Sequence, residues 1–204
     1  MTVLVLAPDD LEVAAALLAS GEVLAVPTDT VYGLAAVVGD AAAVARLSAL
    51  KRRPASMPIA VLCASLGAAR EVASSWPPDA DVLAAALWPG PITLIVPASA
   101  GLAARLGTTD SVGVRVPDDA LCRALLERTG PLAVTSANLH GAAPATTAGE
   151  VLAIFEGTAI SGILDGGTRD GEVSSVVDVS GDAPVIARAG AVGRDAILAL
   201  LREG

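Results

Sequence analysis

The stretch Pro27-Thr28-Asp29-Thr30-Val31-Tyr32-Gly33-Leu34 decides how the rest of the chain is organised. It follows an apolar run at 23–26, which predicts a buried strand. Proline has no N–H to donate to a sheet, so we expect the strand to end at Pro27. Two hydroxyls and a carboxylate then lie at a strand end, where open α/β sheets bind ligands. The alternative is a turn in which these side chains only satisfy local backbone groups.

Length and composition predict one α/β domain with an aliphatic core, over residues 1–204. The 204 residues are 53% hydrophobic but only 2% aromatic, and this length suits a single core. Helices and strands alternate at first and strands cluster later, which predicts a twisted, mixed sheet of parallel and antiparallel strands flanked by helices. Strands are predicted near 3–6, 23–26, 58–63, 92–96, 112–116, 132–135, 162–165, 175–179 and 184–188, and helices near 10–20, 41–50, 65–74, 78–87, 118–128, 147–155 and 194–202.

Charge and cysteine usage narrow the class of protein. A net charge of -9 argues against a protein built mainly to bind nucleic acid, because that affinity comes largely from neutralising phosphates. Cys63 and Cys122 lie in apolar contexts, without metal-binding spacing, so we expect both in the core. No Lys or Arg precedes Arg46, and no apolar run reaches membrane-spanning length. We therefore expect a cytoplasmic protein without a signal peptide.

Lys51 is the only lysine among 13 basic residues. A lysine in a chain that otherwise uses arginine indicates a position that needs an ammonium group. It stands with Arg52 and Arg53 at the end of the helix predicted at 41–50. The alternative is that these cations only complement the negative end of the helix dipole.

The candidate site residues are small polar and basic side chains that recur at strand ends. They suit a polyanionic ligand that carries ribose and carboxylate groups, held for phosphoryl or nucleotidyl transfer by positioning and charge stabilisation. The sequence contains neither common glycine-rich nucleotide motif, no Ser-His-Asp set and no metal-ligand cluster, and the only histidine, His140, is predicted to be a solvated loop residue. The candidates are Thr28, Thr30, Thr135, Ser136, Asn138, Ser174, Ser175, Lys51, Arg53, Arg115 and Arg188.

Seven blocks in order resemble the YrdC/Sua5 family, the threonylcarbamoyl-AMP synthases, over nearly the whole chain. The opening stretch is similar to the family's signature, and the resemblance implies a short, single-domain, YrdC-like form. Three positions depart from the family pattern: Asp119 stands where a histidine is common, Ser175 where a threonine is common, and Ala189 where a proline is common. The blocks are 27–34, 51–59, 87–94, 113–117, 136–138, 174–178 and 186–190.

The resemblance implies a reaction. L-threonine, bicarbonate or CO2, and ATP with Mg2+ would give threonylcarbamoyl-AMP and pyrophosphate. The product would pass to a threonylcarbamoyl transferase complex that forms N6-threonylcarbamoyladenosine at position 37 of tRNA. The alternatives are a double-stranded RNA-binding module and a paralogue of the same fold without this activity. If the chain is a synthase, we expect any RNA binding to be weak.

The resemblance also implies roles for the candidate residues. Lys51 and Arg53 would be catalytic, on the phosphates. Nucleotide binding would add Ser136, Asn138, Ser174 and Arg188. Threonine binding would use Thr28, Thr30, Arg115, Thr135 and Ser175.

Overall fold

The computed structural model describes residues 3–54 and 56–203, which form a single ten-stranded sheet with helices packed on it. The strands are β1 (Leu4–Leu6), β2 (Leu24–Val26), β3 (Gly33–Val37), β4 (Ala60–Leu62), β5 (Ile92–Pro97), β6 (Ser111–Arg115), β7 (Leu132–Ser136), β8 (Gly162–Leu164), β9 (Ser175–Asp178) and β10 (Val185–Arg188). The helices are α1 (Leu11–Ala19), α2 (Ala41–Leu50), α3 (Leu66–Val72), α4 (Pro78–Leu87), α5 (Ala100–Arg105), α6 (Ala120–Thr129), α7 (Ala148–Phe155) and α8 (Arg194–Glu203).

The sheet is mixed, as predicted. Its strand order is β1-β8-β2-β3-β7-β4-β6-β5-β9-β10. Strand β8 is parallel to both β1 and β2, β4 is parallel to β6, and β5 is parallel to β9. The remaining neighbours are antiparallel. The predicted α/β class with one sheet is therefore confirmed.

Alternation along the strands sends side chains to two different environments. Val61, Leu94, Val114 and Val177 belong to one large buried cluster. Because successive residues of a strand point to opposite faces, their neighbours lie on the other face of the sheet. There, a smaller cluster under α1 and α6 covers only part of the sheet. The half made by β4, β6, β5 and β9 is left open on this face, and this opening is the candidate site.

Helices α2 and α7 begin with an N-cap side chain that bonds to the first turn, and α1 does not. Asp40 accepts hydrogen bonds from Ala42 N and Ala43 N, and Thr147 accepts one from Glu150 N, as N-cap side chains do. Asp10 occupies the N-cap position of α1, but its carboxylate instead accepts from Ala7 N at 2.8 Å. The backbone at Asp10 is not extended, which accounts for this local turn.

Two elements were not predicted. Strand β3 is rich in alanine, which has low intrinsic preference for strands, but it pairs with β2 on one side and β7 on the other. Sheet context overrides propensity here. Helix α5 has only six residues and begins at a small-residue run without apolar periodicity. Within residues 3–54 and 56–203, no helix combines the length and the apolar character needed to span a membrane.

The turn after β10 is closely packed. Gly190 N donates to Ser175 Oγ at 3.0 Å, and Ala191 N donates to Val173 O at 2.9 Å. A Cβ atom on Gly190 would overlap the backbone of Val173 and Ser174. Glycine therefore lets this turn lie directly against the segment that enters β9.

We predict that Gly190→Ala lowers the free energy of unfolding by about 1–3 kcal/mol, because the methyl group overpacks a backbone contact. Urea unfolding measures the change. Gly181→Ala is the matched control, since a Cβ there meets nothing within 4 Å, and we expect an effect within about 0.5 kcal/mol. Equal effects of the two substitutions would contradict the prediction.

Candidate active site

A cavity of about 510 Å³ lies over the open half of the sheet. Its floor includes Ala60, Gly113 and Thr93, which lie side by side on β4, β6 and β5. A Cβ on Gly113 would sit 3.1 Å from Thr93 Cγ2 and 3.6 Å from Ala60 Cβ. These small residues therefore leave space for a ligand above the sheet. Every predicted site residue except Ser175 lines the cavity, namely Thr28, Thr30, Lys51, Arg53, Arg115, Thr135, Ser136, Asn138, Ser174 and Arg188.

The segment after β2 is built around a chain of hydroxyl groups. Thr28 Oγ1 donates to Val31 O at 2.7 Å, so its proton is already used when it meets Thr30 Oγ1 at 3.0 Å. Thr30 must therefore be the donor in that pair. Thr28 Oγ1 also faces the amides of Thr30 and Val31 at 3.2 and 3.3 Å. Thr28 thus serves the turn, as the alternative interpretation of this stretch held, whereas Thr30 keeps an acceptor site at the cavity wall.

Arg115 connects this segment to the sheet. Its guanidinium donates to Thr30 Oγ1 at 3.2 Å, to Asp29 Oδ1 at 2.5 Å and to Gly90 O at 3.0 Å. Burial lowers the pKa of Arg115, and the charge of Asp29 opposes that shift. Three of the five N–H groups of an arginine are used in this way, so the others remain for a ligand. Thr135 also lines the cavity, and its hydroxyl has no partner among the described residues.

The ammonium of Lys51 is enclosed by acceptors. It donates to Ser136 O at 2.5 Å, to Asn138 Oδ1 at 2.6 Å and to Asn138 O at 2.9 Å, with Ser136 Oγ at 3.3 Å. Lys51 ends α2, but its ammonium reaches the loop after β7, so its role is more than complementing the helix dipole. Burial, and then the nearby charge of Arg53, lower the pKa of Lys51 to about 8.

Asn138 organises the loop that holds Lys51. Its Oδ1 accepts from Lys51 Nζ and from Ser136 Oγ, both at 2.6 Å. Its Nδ2 donates to Leu139 O at 2.9 Å and to Ala142 O at 2.7 Å. All hydrogen-bonding positions of the amide are therefore occupied by the protein. The geometry does not support the prediction that this amide binds the nucleotide, and it makes Asn138 a positioning residue for Lys51.

The guanidinium of Arg53, unlike the amide of Asn138, keeps unpaired hydrogen-bond donors. Its Nε and one terminal nitrogen, Nη2, are buried without a hydrogen-bond partner among the described residues. Burial lowers the pKa of the guanidinium, which nevertheless stays charged because arginine does not deprotonate in proteins. An unpaired buried cation is costly, so its position at the cavity points to an anionic ligand.

Arg188 and Ser174 form the opposite wall. Nε and Nη2 of Arg188 donate to Ser174 O at 3.0 and 2.8 Å, and Nη2 also lies 3.1 Å from Ser174 Oγ. The Ser174 hydroxyl lies 3.1 Å from the hydroxyl of Thr93. These bonds fix one edge of the Arg188 guanidinium and leave Nη1 for a ligand.

Ser175 does not belong to the site. Its hydroxyl donates to Val192 O at 2.6 Å and accepts from Gly190 N and Val192 N at 3.0 and 3.1 Å. The side chain is fully buried. Its neighbours Ser174 and Val176 face the cavity, and the period of two along the strand sends Ser175 to the other side. The geometry does not support the prediction that Ser175 binds threonine, because its hydroxyl holds the Gly190 turn instead.

Several cavity residues were missed by the sequence analysis. Thr93 and Asp178 lie on predicted strands, and only knowledge of the open face could have separated them from core residues. Tyr32 also reaches the cavity lining, and its hydroxyl bonds to the loop at 165–167. His140 is exposed, as predicted, but stands at the cavity, where its amide donates to Lys51 O at 3.0 Å.

The residues present do not form a resident metal site. Among residues 3–54 and 56–203, no group of three or more His, Cys, Asp or Glu side chains could hold a metal ion. The one carboxylate that lines the described cavity is that of Asp178, and its Oδ1 already accepts from Ser180 N and Ser180 Oγ at 2.9 and 2.6 Å. A magnesium ion would need ligands from elsewhere, such as substrate phosphates.

The chain is similar to proteins named threonylcarbamoyl-AMP synthase. It is 37% identical over 196 residues to that of Pyrococcus abyssi, covering 95% of this chain and 57% of the relative. It is 37% identical over 192 residues to that of Bacillus subtilis, covering 92% of this chain and 55% of the relative. The chain therefore spans little more than half the length of these two relatives.

The solved structures agree with this similarity. The crystal structure of Pyrococcus abyssi Sua5 complexed with L-threonine matches with a TM-score of 0.92 at 33% identity, over 98% of this chain and 61% of that one. A family model named Sua5_yciO_yrdC, described as telomere recombination, matches residues 16–190. The alignment thus includes the opening stretch, both sides of the cavity and the Gly190 turn. The chain belongs to the Sua5/YciO/YrdC family.

Proposed function

We propose that this chain makes threonylcarbamoyl-AMP from L-threonine, bicarbonate or CO2, and ATP, and releases pyrophosphate. The observation that carries the proposal is the pair of cations Lys51 and Arg53 in one cavity, the latter with two buried nitrogens that lack a partner. A triphosphate supplies the acceptors that the Arg53 donors lack, and the Lys51 ammonium offsets its charge. The names of the relatives and the threonine bound to Pyrococcus abyssi Sua5 support the choice of reaction.

The chemistry needs two bond-forming steps. The neutral amine of threonine attacks the carbon of CO2 and loses a proton, which gives a carbamate. A carbamate oxygen then attacks the α-phosphorus of ATP, the bond to the β-phosphate oxygen breaks, and pyrophosphate leaves. Both reactants are anions, so cations fixed beforehand must offset their repulsion. The cavity supplies such cations without an acid–base triad.

The phosphate end of the site is assigned to Arg53, Lys51 and Arg188. Arg53 offers its unpaired N–H groups directly, and Arg188 offers its free Nη1 beside Ser174. Lys51 acts as a compact charge held in place by Ser136 and Asn138, with Asn138 as the positioning residue. Ser136 keeps an acceptor site for the nucleotide, since its own proton is given to Asn138.

The threonine end is assigned to Thr30, Thr135 and Arg115. The guanidinium of Arg115 would hold the substrate carboxylate with the N–H groups left over from Asp29 and Gly90. Thr30 and Thr135 would take the amine and hydroxyl groups. Thr28 supports Thr30 through their shared hydrogen bond.

Magnesium would enter with ATP, bound to its phosphates. Transfer of the product to a tRNA-modifying threonylcarbamoyl transferase complex, weak RNA binding and a cytoplasmic location stay predictions. A purely RNA-binding role has no specific observation in its favour, because the cations of the site line a cavity in a chain of net charge -9.

We predict that the chain releases pyrophosphate from ATP only when threonine and bicarbonate are both present. Arg53→Gln should lower kcat/KM for ATP roughly 10- to 100-fold, the range expected when a charged hydrogen-bond donor is lost. The melting temperature should hold or rise, because a buried unpaired cation is removed. Arg52→Gln is the matched control, since Arg52 is the adjacent, exposed arginine. Equal losses in the two variants, or pyrophosphate release without threonine, would contradict the assignment.

We predict that ATP affinity falls as the pH rises above about 8, the lowered pKa of Lys51, because the triphosphate binds the protonated amine better. Calorimetry between pH 7 and 10.5 measures this loss. Lys51→Arg cannot titrate in this range, and Lys51→Met carries no charge, so both variants should show a flat profile. A profile in wild type as flat as theirs would remove the Lys51 ammonium from ATP binding.

The same shift has a predicted effect on stability. Between pH 8 and the ordinary lysine pKa of 10.5, the unfolded chain binds more protons than the folded one at this position. The contribution of Lys51 to the free energy of unfolding should therefore increase with pH across this window. Urea unfolding of wild type and of Lys51→Met measures this contribution. As the pH rises, the free energy of unfolding of wild type should increase relative to that of Lys51→Met.

We predict that serine is a poor substrate but not an excluded one. A single methyl group in a pocket gives only roughly 1–3 kcal/mol of discrimination, so kcat/KM for serine should be about 10- to 200-fold below that for threonine. Steady-state pyrophosphate release with each amino acid measures the ratio. Equal values for the two amino acids would show that the site does not recognise the methyl group.

A further inference from the structure

The glycine-rich loop 165–171 carries an arginine that the proposed reaction does not use. Arg169 donates through Nη1 to Asp119 Oδ2 at 2.6 Å. The side chains of this ion pair are only 13% and 10% exposed, unlike the solvent-exposed pairs that contribute little. Arg169 also donates to Gly166 O, within its own loop. The pair therefore closes the loop and joins it to the start of α6.

This loop contacts the segment that the proposal assigns to threonine. Gly171 N donates to Thr30 O at 3.1 Å, and the Arg169 guanidinium lies 6.0 Å from the centre of the Tyr32 ring. The Tyr32 hydroxyl donates to Gly167 O at 2.9 Å and accepts from Gly166 N at 3.0 Å. Two separate contacts thus run from the loop to the two ends of the segment Thr30–Tyr32.

Asp119 has a second bond that fixes its own position. Its Oδ1 accepts from Cys122 N at 2.7 Å as the N-cap of α6. One carboxylate therefore binds a helix end and Arg169 at the same time. Arg115, the residue assigned to the threonine carboxylate, ends β6 four residues before Asp119. The Asp119–Arg169 pair is therefore connected to both parts of the threonine end, to Arg115 along the chain and to Thr30 through the loop.

We propose that Arg169, held by Asp119, is a positioning residue for the amino-acid substrate. It fixes loop 165–171 against Thr30 and Tyr32, so that the Thr30 hydroxyl keeps its place beside Arg115 before threonine binds. Arg169 does not line the cavity, and it acts through these contacts alone. The inference rests on the proposed function and adds to it the residues that set affinity for the amino acid.

The physical basis is preorganisation. The Thr30 hydroxyl lies in a turn held by the Thr28 hydroxyl, by a backbone amide and by Arg115, and Tyr32 is fixed by backbone bonds to Ala137 and Ala145. Without the pair, the loop would lose its link to α6, and part of the ordering of Thr30 would fall to the substrate. That ordering would reduce the affinity for threonine. The phosphate end is held separately, by Ser136 and Asn138, and should not change.

The test uses the double variant Asp119→Asn/Arg169→Met, which removes both charges together and so leaves no buried charge unpaired. The asparagine keeps an oxygen for Cys122 N, and the methionine keeps the apolar stem near Tyr32. We expect KM and the calorimetric Kd for threonine to rise on the order of tenfold, because a binding group that is slightly misplaced holds its substrate less well. The Kd for ATP should stay within about twofold of wild type, a change too small to indicate a lost contact.

Two further variants separate positioning from general stability. Asp118→Asn breaks the neighbouring ion pair between Asp118 and Arg123. The Asp118 side chain is 65% exposed, so the affinities for threonine and ATP should not change. Arg169→Lys keeps a charge for Asp119 and should recover part of the threonine affinity. It also serves as the test protein if the double variant does not fold, with a smaller rise in the Kd for threonine expected.

The outcomes distinguish this inference from the function on which it rests. If wild type binds threonine and releases pyrophosphate, but the variants at Asp119 and Arg169 lose only melting temperature, the positioning role is overturned and the function stands. If threonine and ATP affinities fall together, the pair supports the whole fold and the inference is again overturned. If wild type neither binds threonine nor needs it for pyrophosphate release, the proposed function and the positioning role are both overturned.

Discussion

The enclosure of the Lys51 ammonium by Ser136 and Asn138 is the interaction on which the rest of the site depends. It joins the end of α2 to the end of β7, and Asn138 extends the connection to the loop at 139–142. Three donors meet three close acceptors, and two of those acceptors are backbone carbonyls, one of them at the end of β7. The ammonium is therefore located by the fold and not by its own flexible stem. A planar guanidinium could not converge on the same three oxygens.

The site also depends on the open face of the sheet. Strands β4, β6, β5 and β9 bury Val61, Val114, Leu94 and Val177 on one side and leave a ligand cavity on the other. Such strands have the hydrophobic content of core strands, since their inward residues are as apolar as any. Several of their outward residues, such as Gly113, Thr93 and Asp178, are small or polar, and they line the cavity. The substrate is expected to complete the layer that helices complete elsewhere on the same face.

The sequence was sufficient for much of this architecture, and its failures have physical reasons. Strand ends and the N-caps at Asp40 and Thr147 follow from local chemistry. Strand β3 could not be predicted because its alanines adopt a strand only between β2 and β7.

The two site predictions that the geometry does not support have a common feature. Ser175 and Asn138 carry the right functional groups for a ligand, but those groups are saturated by protein partners. A sequence shows which donors and acceptors exist, whereas only the structure shows which of them remain unpaired. Arg53 and Ser175 are both polar residues of recognised family blocks, and their hydrogen-bond partners alone assign one to the ligand and the other to the scaffold.

The distribution of charge explains why the cavity suits an anionic reaction in an acidic protein. The net charge is -9, yet within the described residues the cavity is lined by Lys51, Arg53, Arg115 and Arg188 against the carboxylate of Asp178. Burial lowers the pKa of all four cationic groups, so each resists being charged where it lies. That resistance is a cost to the empty protein, and a bound polyanion would relieve it. Part of the affinity for the proposed triphosphate would therefore be set when the chain folds, and the same fixed cations would stabilise charge that moves from carbamate to pyrophosphate without having to reorient.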